Sequence, residues 1–145
     1  MIKLIIGNKG SGKTKKLIDQ VNACIKASDG NVVCVEKEPK LTYDIPSNAR
    51  LLETETYLIN GHKAFYGFLA GICAGNYDVT DILVDATFKI VGREYEKLPQ
   101  FFEMLSELSE ATDVNFWFTI SCDKEDLPVE IFDYCEEYTG EVAAE

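Results

Sequence analysis

Arginine is nearly missing from this chain. Only Arg50 and Arg93 occur, within 14 basic residues set against 25 acidic ones, for a formal net charge of -11. A broad nucleic-acid surface needs clustered lysine and arginine, so this composition argues against an extensive one. Histidine is scarcer still: His62 stands alone, and no C-x-x-C pair occurs among the five cysteines. An ordinary zinc site therefore lacks ligands. Most of Cys24, Cys34, Cys73, Cys122 and Cys135 lie in apolar runs or on apolar faces, as suits buried thiols in a reducing compartment. None has a conventional base beside it in sequence to favour a reactive thiolate. No apolar stretch reaches the length of a membrane span. The first apolar run begins at Ile2, which leaves no room for a signal peptide, and the expected location is cytoplasmic.

What is present is a glycine-rich run with a mechanism. Gly7-Asn8-Lys9-Gly10-Ser11-Gly12-Lys13-Thr14 fits the pattern G-x-x-x-x-G-K-[ST] at each fixed position. The apolar run Ile2–Ile6 precedes it, and Leu17, Ile18, Val21, Cys24 and Ile25 follow at helical spacing. Strand, loop and helix are the context in which backbone N–H groups can wrap a phosphate. Gly7, Gly10 and Gly12 permit φ > 0 and carry no Cβ to keep the anion away. The helix start adds amides and the positive end of its dipole. Gly7 through Thr14, with Lys15, are thus the expected nucleotide-binding residues. Lys13 is expected at the β- and γ-phosphates, and Thr14 as a ligand to Mg²⁺. Lys9, Lys15 and Lys16 add local positive charge.

A second acidic residue is expected across the sheet. Ile82-Leu83-Val84-Asp85 reads as a buried parallel strand ending in a carboxylate at the crevice, where Asp85 could hold Mg²⁺ directly or through water. Asp81 is expected before that strand, at its far end.

Length and element order predict one domain over residues 1–140, with a frayed tail over 141–145. The expected fold is an α/β three-layer sandwich around a mostly parallel sheet of about five strands. Strands are predicted at Ile2–Ile6, Val32–Glu36, Arg50–Thr54 (short, at an edge), Asp81–Asp85 and Val114–Ile120. Helices are predicted from about Lys13 to Ala27, from about Ile59 to Ala74, through Leu98–Leu108, and from Leu127 to Tyr138. Gly67 and Gly71 weaken the second helix unless they permit close packing. Glu94, Glu96, Glu103, Glu107 and Glu110 read as the solvated side of the third. The segment Ala86–Leu98 reads as a loop able to change order with a bound phosphate.

The phosphate loop, Asp85 and the element order together resemble a minimal P-loop NTPase core, and within that group the RecA-like and thymidine-kinase-like branch. The resemblance covers nearly the whole chain, with only the loop specific. Cys34-Val35-Glu36-Lys37-Glu38-Pro39 is similar to the strand-two ending of thymidine-kinase-like proteins. Asp85-Ala86-Thr87-Phe88 is similar to their Asp-Glu-Ala-Gln-Phe segment. Ser121, in Ile120-Ser121-Cys122-Asp123, falls where that branch senses the γ-phosphate. The resemblance implies ATP and Mg²⁺ as cofactors and Lys13 as a catalytic residue. Two departures stand out. Ala86 replaces the glutamate that acts as general base, and the zinc-binding, substrate-covering segment of thymidine kinases has no counterpart. RecA-type proteins carry a catalytic glutamate at the end of the second strand, a role open to Glu36 or Glu38; both also suit a solvated strand end.

The expected function is a slow Mg²⁺-dependent ATPase. Its alternatives are a non-catalytic nucleotide-dependent switch acting on a protein partner or a second copy, and a nucleoside-type kinase. Arg93 is either a phosphate contact or an exposed loop residue. His62 reads as a cap or surface residue. Tyr134 and Tyr138 read as packing residues, or as cover for an adenine ring. Strand order discriminates: Val114–Ile120 lying between the loop strand and the Asp85 strand is the RecA-like arrangement.

Overall fold

Apolar runs such as Val32–Val35, Ile82–Val84 and Phe116–Phe118 have no face to offer water, and the chain stacks them side by side. The computed structural model describes residues 1–140. Six strands form one all-parallel sheet: β1 (Ile2–Gly7), β2 (Asn31–Glu36), β3 (Ala49–Glu53), β4 (Val79–Val84), β5 (Asn115–Ser121) and β6 (Glu136–Glu137). Their order is β3-β2-β4-β5-β1-β6. The α-helices are α1 (Lys13–Ala27), α2 (His62–Gly75), α3 (Thr87–Val91) and α4 (Leu98–Thr112). The α/β class and parallel pairing agree with expectation. β5 lies between β1 and β4, pairing Leu4 with Phe118 on one side and Val84 with Phe118 on the other.

Side chains alternate across the sheet with period two. Leu4, Val33, Val35, Ile82, Val84, Phe116 and Phe118 enter one core with Phe65 and Leu69 of α2 and Phe101, Phe102 and Leu105 of α4. Ile5, Val32, Cys34, Leu83 and Trp117 enter the other with Leu17, Val21 and Cys24 of α1. Phe102 meets Phe118 edge-on at 5.4 Å and Phe101 at 5.2 Å, geometries that add to area burial.

Four expectations need correction. The sheet has six strands rather than about five. Leu127–Tyr138 is not a helix. Leu127, Ile131 and Cys135 are buried at a spacing of four, which imitates one, but Pro128 is extended (φ -57°, ψ 129°) and Val129–Asp133 forms only a 3-10 turn. The exposed edge of β1 then takes the backbone as β6, and Tyr138 N–H donates to the Leu4 carbonyl at 2.7 Å. Ala86–Leu98 is not simply a loop: α3 and a 3-10 turn (Tyr95–Lys97) fold there, with Phe88, Ile90 and Val91 buried. Asp81 lies within β4 rather than before it, since the strand begins at Val79, which already pairs with Asn31. Gly67 and Gly71 show no close approach, because a Cβ on either would meet nothing within 4 Å. Helix α2 begins at His62, after Gly61 at φ 88°. Helix α1 has the predicted bounds, and β3 occupies a sheet edge as predicted. Expectations for 141–145 fall outside the described residues. Among the described residues no helix is long and apolar enough to cross a membrane.

Candidate functional site

Parallel strands deliver their carboxyl ends to one rim, and a crevice opens there. The loop after β1 turns through Gly10 (φ 87°) and Gly12 (φ 85°), both left-handed. A Cβ on Gly7 would collide with the Ser11 side chain. Ser11 N–H donates to the Asn8 carbonyl at 3.1 Å, and Asn8 Nδ2 donates to Asp123 Oδ1 at 2.6 Å, anchoring the loop to the end of β5. Helix α1 starts with no side-chain cap and no acidic residue in its first turn, so its leading amides are left for another acceptor.

Lys13 is 9% exposed, and its ammonium donates to the Asn8 carbonyl at 3.0 Å. Burial pushes its pKa down, and the charge of Asp85 pulls it partly back. Across the sheet, Asp85 follows β4 and is fixed by Thr119, whose hydroxyl donates to Asp85 Oδ1 at 2.8 Å and accepts from Ala86 N–H at 2.7 Å. Ala86 sits at φ 53°, ψ 54°, a conformation costly for a residue with a Cβ. Thr14 Oγ1 lies 3.3 Å from both Asp85 carboxylate oxygens. Neighbouring oxygens on an octahedral ion with bonds of ~2.1 Å stand roughly 3 Å apart, so this pair could share one hard divalent cation. Among the described residues no three His, Cys, Asp or Glu side chains converge, so most ligands to such an ion would be water and anion oxygens.

Sequence reading missed Thr119. It is 1% exposed in the apolar run Phe116–Ile120, and a lone hydroxyl buried in such a strand must find partners; that was the available signal. Thr119→Val keeps the shape, strands the Ala86 N–H and frees one Asp85 oxygen. It is expected to cost ~1–3 kcal/mol in urea unfolding, and a loss under 0.5 kcal/mol would contradict the bridging role.

Glu36, at the end of β2, is not solvated. It is 3% exposed and accepts from Lys40 N–H at 3.0 Å and Leu41 N–H at 3.2 Å. Burial raises its pKa despite the opposing pull of those amides. Glu38 is half-buried and pairs with Lys40 at 3.4 Å. Ser121 ends β5, and its carbonyl accepts from Arg93 Nη1 at 2.9 Å; that guanidinium also lies over the Phe88 ring, 5.0 Å from its centroid.

These groups surround one cavity of about 660 Å³, within the range of small-molecule sites. Lys13, Thr14, Glu36, Glu38, Asp85 and Ser121 all line it, with Lys9, Gly10, Gly12 and Lys15 of the loop. Gly7, Asn8 and Ser11 shape the loop without lining the cavity. Lys37, Lys40, Lys89 and Arg93 complete the wall. Seven of the chain's fourteen cationic side chains thus face three carboxylates here, in a chain whose overall balance is strongly acidic. Among the described residues Lys9, Lys13, Lys37, Lys89 and Arg93 pair with no carboxylate, whereas Lys15 pairs with Asp19. Lys40 and Lys89 stand close enough that Lys40 depresses the Lys89 pKa. Such a cavity is electrostatically suited to a polyanion.

The other candidates fall elsewhere. His62 opens α2 and meets Phe101 edge-on at 5.6 Å, outside the cavity, with its pKa lowered mainly by burial. Tyr138 packs against Trp117 at 5.1 Å and Tyr134 against the α4-side core; neither lines the cavity. All five thiols are buried and unbridged, and burial pushes Cys24 and Cys135 up to about 12, far from thiolate chemistry. The sequence matches no protein-family model, and comparison with curated proteins gives no match.

Proposed function

We propose that the cavity binds a nucleoside triphosphate, ATP in the first instance, with Mg²⁺, and that the chain is a slow ATPase of the P-loop class. The observation that carries this reading is a glycine-rich loop whose own cations, Lys9, Lys13 and Lys15, line the cavity and whose Lys13 and Thr14 face Asp85. The loop and the first turn of α1 would cradle the phosphates. Lys13 would exchange its Asn8 carbonyl for phosphate oxygens. Thr14 and Asp85 would hold Mg²⁺, which when bound neutralises phosphate charge. Arg93, tethered to the end of β5, would lie beside the terminal phosphate. The insertion of β5 between β1 and β4 supports the RecA-like reading over one with those strands adjacent.

Turnover is expected to be slow for a reason visible in the cavity. Asp85 is engaged by Thr119, Glu36 by two amides and Glu38 by Lys40. Each already accepts a hydrogen bond or an ion pair, so proton removal from water is expected to be inefficient and catalysis to rest mainly on positioning and charge. The switch reading has less support, because much of the segment that would change order is buried in the core as α3. Calorimetric titration with ATP, with and without Mg²⁺, alongside phosphate release, tests the proposal. Asp85→Ala should reduce the Mg²⁺-dependent gain in affinity about tenfold. An unchanged metal dependence removes Asp85 from the site.

A further inference from the structure

The cavity holds more positive charge than one triphosphate at the glycine-rich loop would use, and that charge falls into two groups. Lys9, Lys13 and Lys15 belong to the β1–α1 junction, whereas Lys37 and Lys40 follow β2 and Lys89 lies on α3. Between the ends of β1 and β2 stand β5 and β4. Three interstrand steps of ~4.8 Å put the end of β2, which Lys37 and Lys40 follow, about 14 Å from the end of β1, while Asp85 and α3, which carries Lys89, follow β4 between them. The backbone that carries the second group is held in place. The Lys40 amide is tied to the buried Glu36 carboxylate, and Lys89 stands between buried Phe88 and Ile90. Glu38 alone offsets it, at 3.4 Å from Lys40. Lys40 and Lys89 both line the cavity, and like charges on one wall repel unless an anion lies between them.

Resting on the triphosphate reading above, we propose that Lys37, Lys40 and Lys89 hold the phosphate of a second substrate, a phosphomonoester, and that this phosphate accepts the γ-phosphoryl group. The acceptor's chemistry follows from the carboxylates. A hydroxyl acceptor must lose a proton, and each cavity carboxylate is already engaged. A phosphomonoester has a second pKa of about 6, so at neutral pH its oxygen is already an anionic nucleophile. That oxygen forms the new bond to the γ-phosphorus. The bond from the γ-phosphorus to the β–γ bridging oxygen breaks, and its electron pair leaves with the nucleoside diphosphate. No proton moves. The products are a nucleoside diphosphate and the acceptor carrying a diphosphate group, and hydrolysis is the leak to water when no acceptor is bound.

The test uses the full chain loaded with a β,γ-non-hydrolysable ATP analogue and Mg²⁺. It is titrated with AMP, GMP, CMP, UMP and ribose 5-phosphate, each against its unphosphorylated counterpart. At least one phosphomonoester should bind ten-fold or more tightly than its counterpart, and γ-labelled ATP should pass its label to that compound. Nucleotide and sugar-phosphate arms separate the two sources of the phosphate. Lys40→Ala/Lys89→Ala, two exposed positions, should erase the preference while the analogue's affinity stays within twofold. Binding of the analogue with no phosphomonoester preference overturns this inference alone. A ten-fold loss of analogue affinity in the double variant also overturns it, by giving the lysines to the triphosphate. Failure of the analogue to bind the wild-type chain overturns the triphosphate reading first.

Discussion

Lys13→Ala is expected to weaken ATP binding by between ~10- and ~100-fold without destabilising the nucleotide-free chain. The first half follows from one charge-assisted contact, worth about 1.5–3 kcal/mol when its partner is charged. The second half follows from where the ammonium sits. Its hydrogen bond is to the Asn8 carbonyl, no carboxylate pairs with it, and burial depresses its pKa. A buried cation held this way is a cost of the fold, and the triphosphate reading gives it a ligand. Because the folded pKa lies below the unfolded value, the unfolded chain binds more protons between the two values. Stability attributable to Lys13 therefore rises as pH climbs from the folded pKa toward 10.5, and the penalty is complete below that window. Lys13→Ala should abolish that rise. Denaturant unfolding across the alkaline range, compared with ATP titrations on both proteins, checks both halves. A variant that binds ATP like wild type, or that loses more than ~1 kcal/mol of stability, contradicts the argument.

The legible parts of this molecule were those where local chemistry and tertiary context agree. The glycine spacing, the apolar run before it and the period of α1 name a strand, a loop and a helix whose bounds the fold keeps. Asp85 was legible because three apolar residues lead to it. The tail was not, because the burial of Leu127, Ile131 and Cys135 follows a helical period while the backbone answers to an open edge on β1 that no local pattern announces. The cavity's composition was illegible for a related reason. Lys37, Lys40, Lys89 and Arg93 are scattered singly along the chain, and only the parallel ordering of strand ends gathers them. Glu36 shows the same limit. A glutamate closing a strand reads as solvated until the chain after it folds back and offers amides.

That fold-back makes Glu36 the second residue with a large expected effect. Glu36→Ala removes the acceptor for the Lys40 and Leu41 amides, and the Leu41 group is buried. Orphaning a buried donor costs ~1–3 kcal/mol, and hydrogen bonds to a charged acceptor stand at the upper end of the scale. A loss of about 3 kcal/mol is expected in urea unfolding. It should come with weaker phosphomonoester binding, since the segment carrying Lys37 and Lys40 loses its tie. Glu36→Gln keeps an acceptor oxygen and should lose less. The pH dependence has a definite sign. Burial raises the folded pKa above 4.5, so the folded chain holds the proton longer than the unfolded one. Glu36's contribution is then greatest below 4.5 and declines as pH rises through the folded value. The stability difference between wild type and Glu36→Gln should shrink over that window and then level off. A difference that grows with pH there, or Glu36→Ala within ~1 kcal/mol of wild type, would show that this carboxylate does not hold the loop.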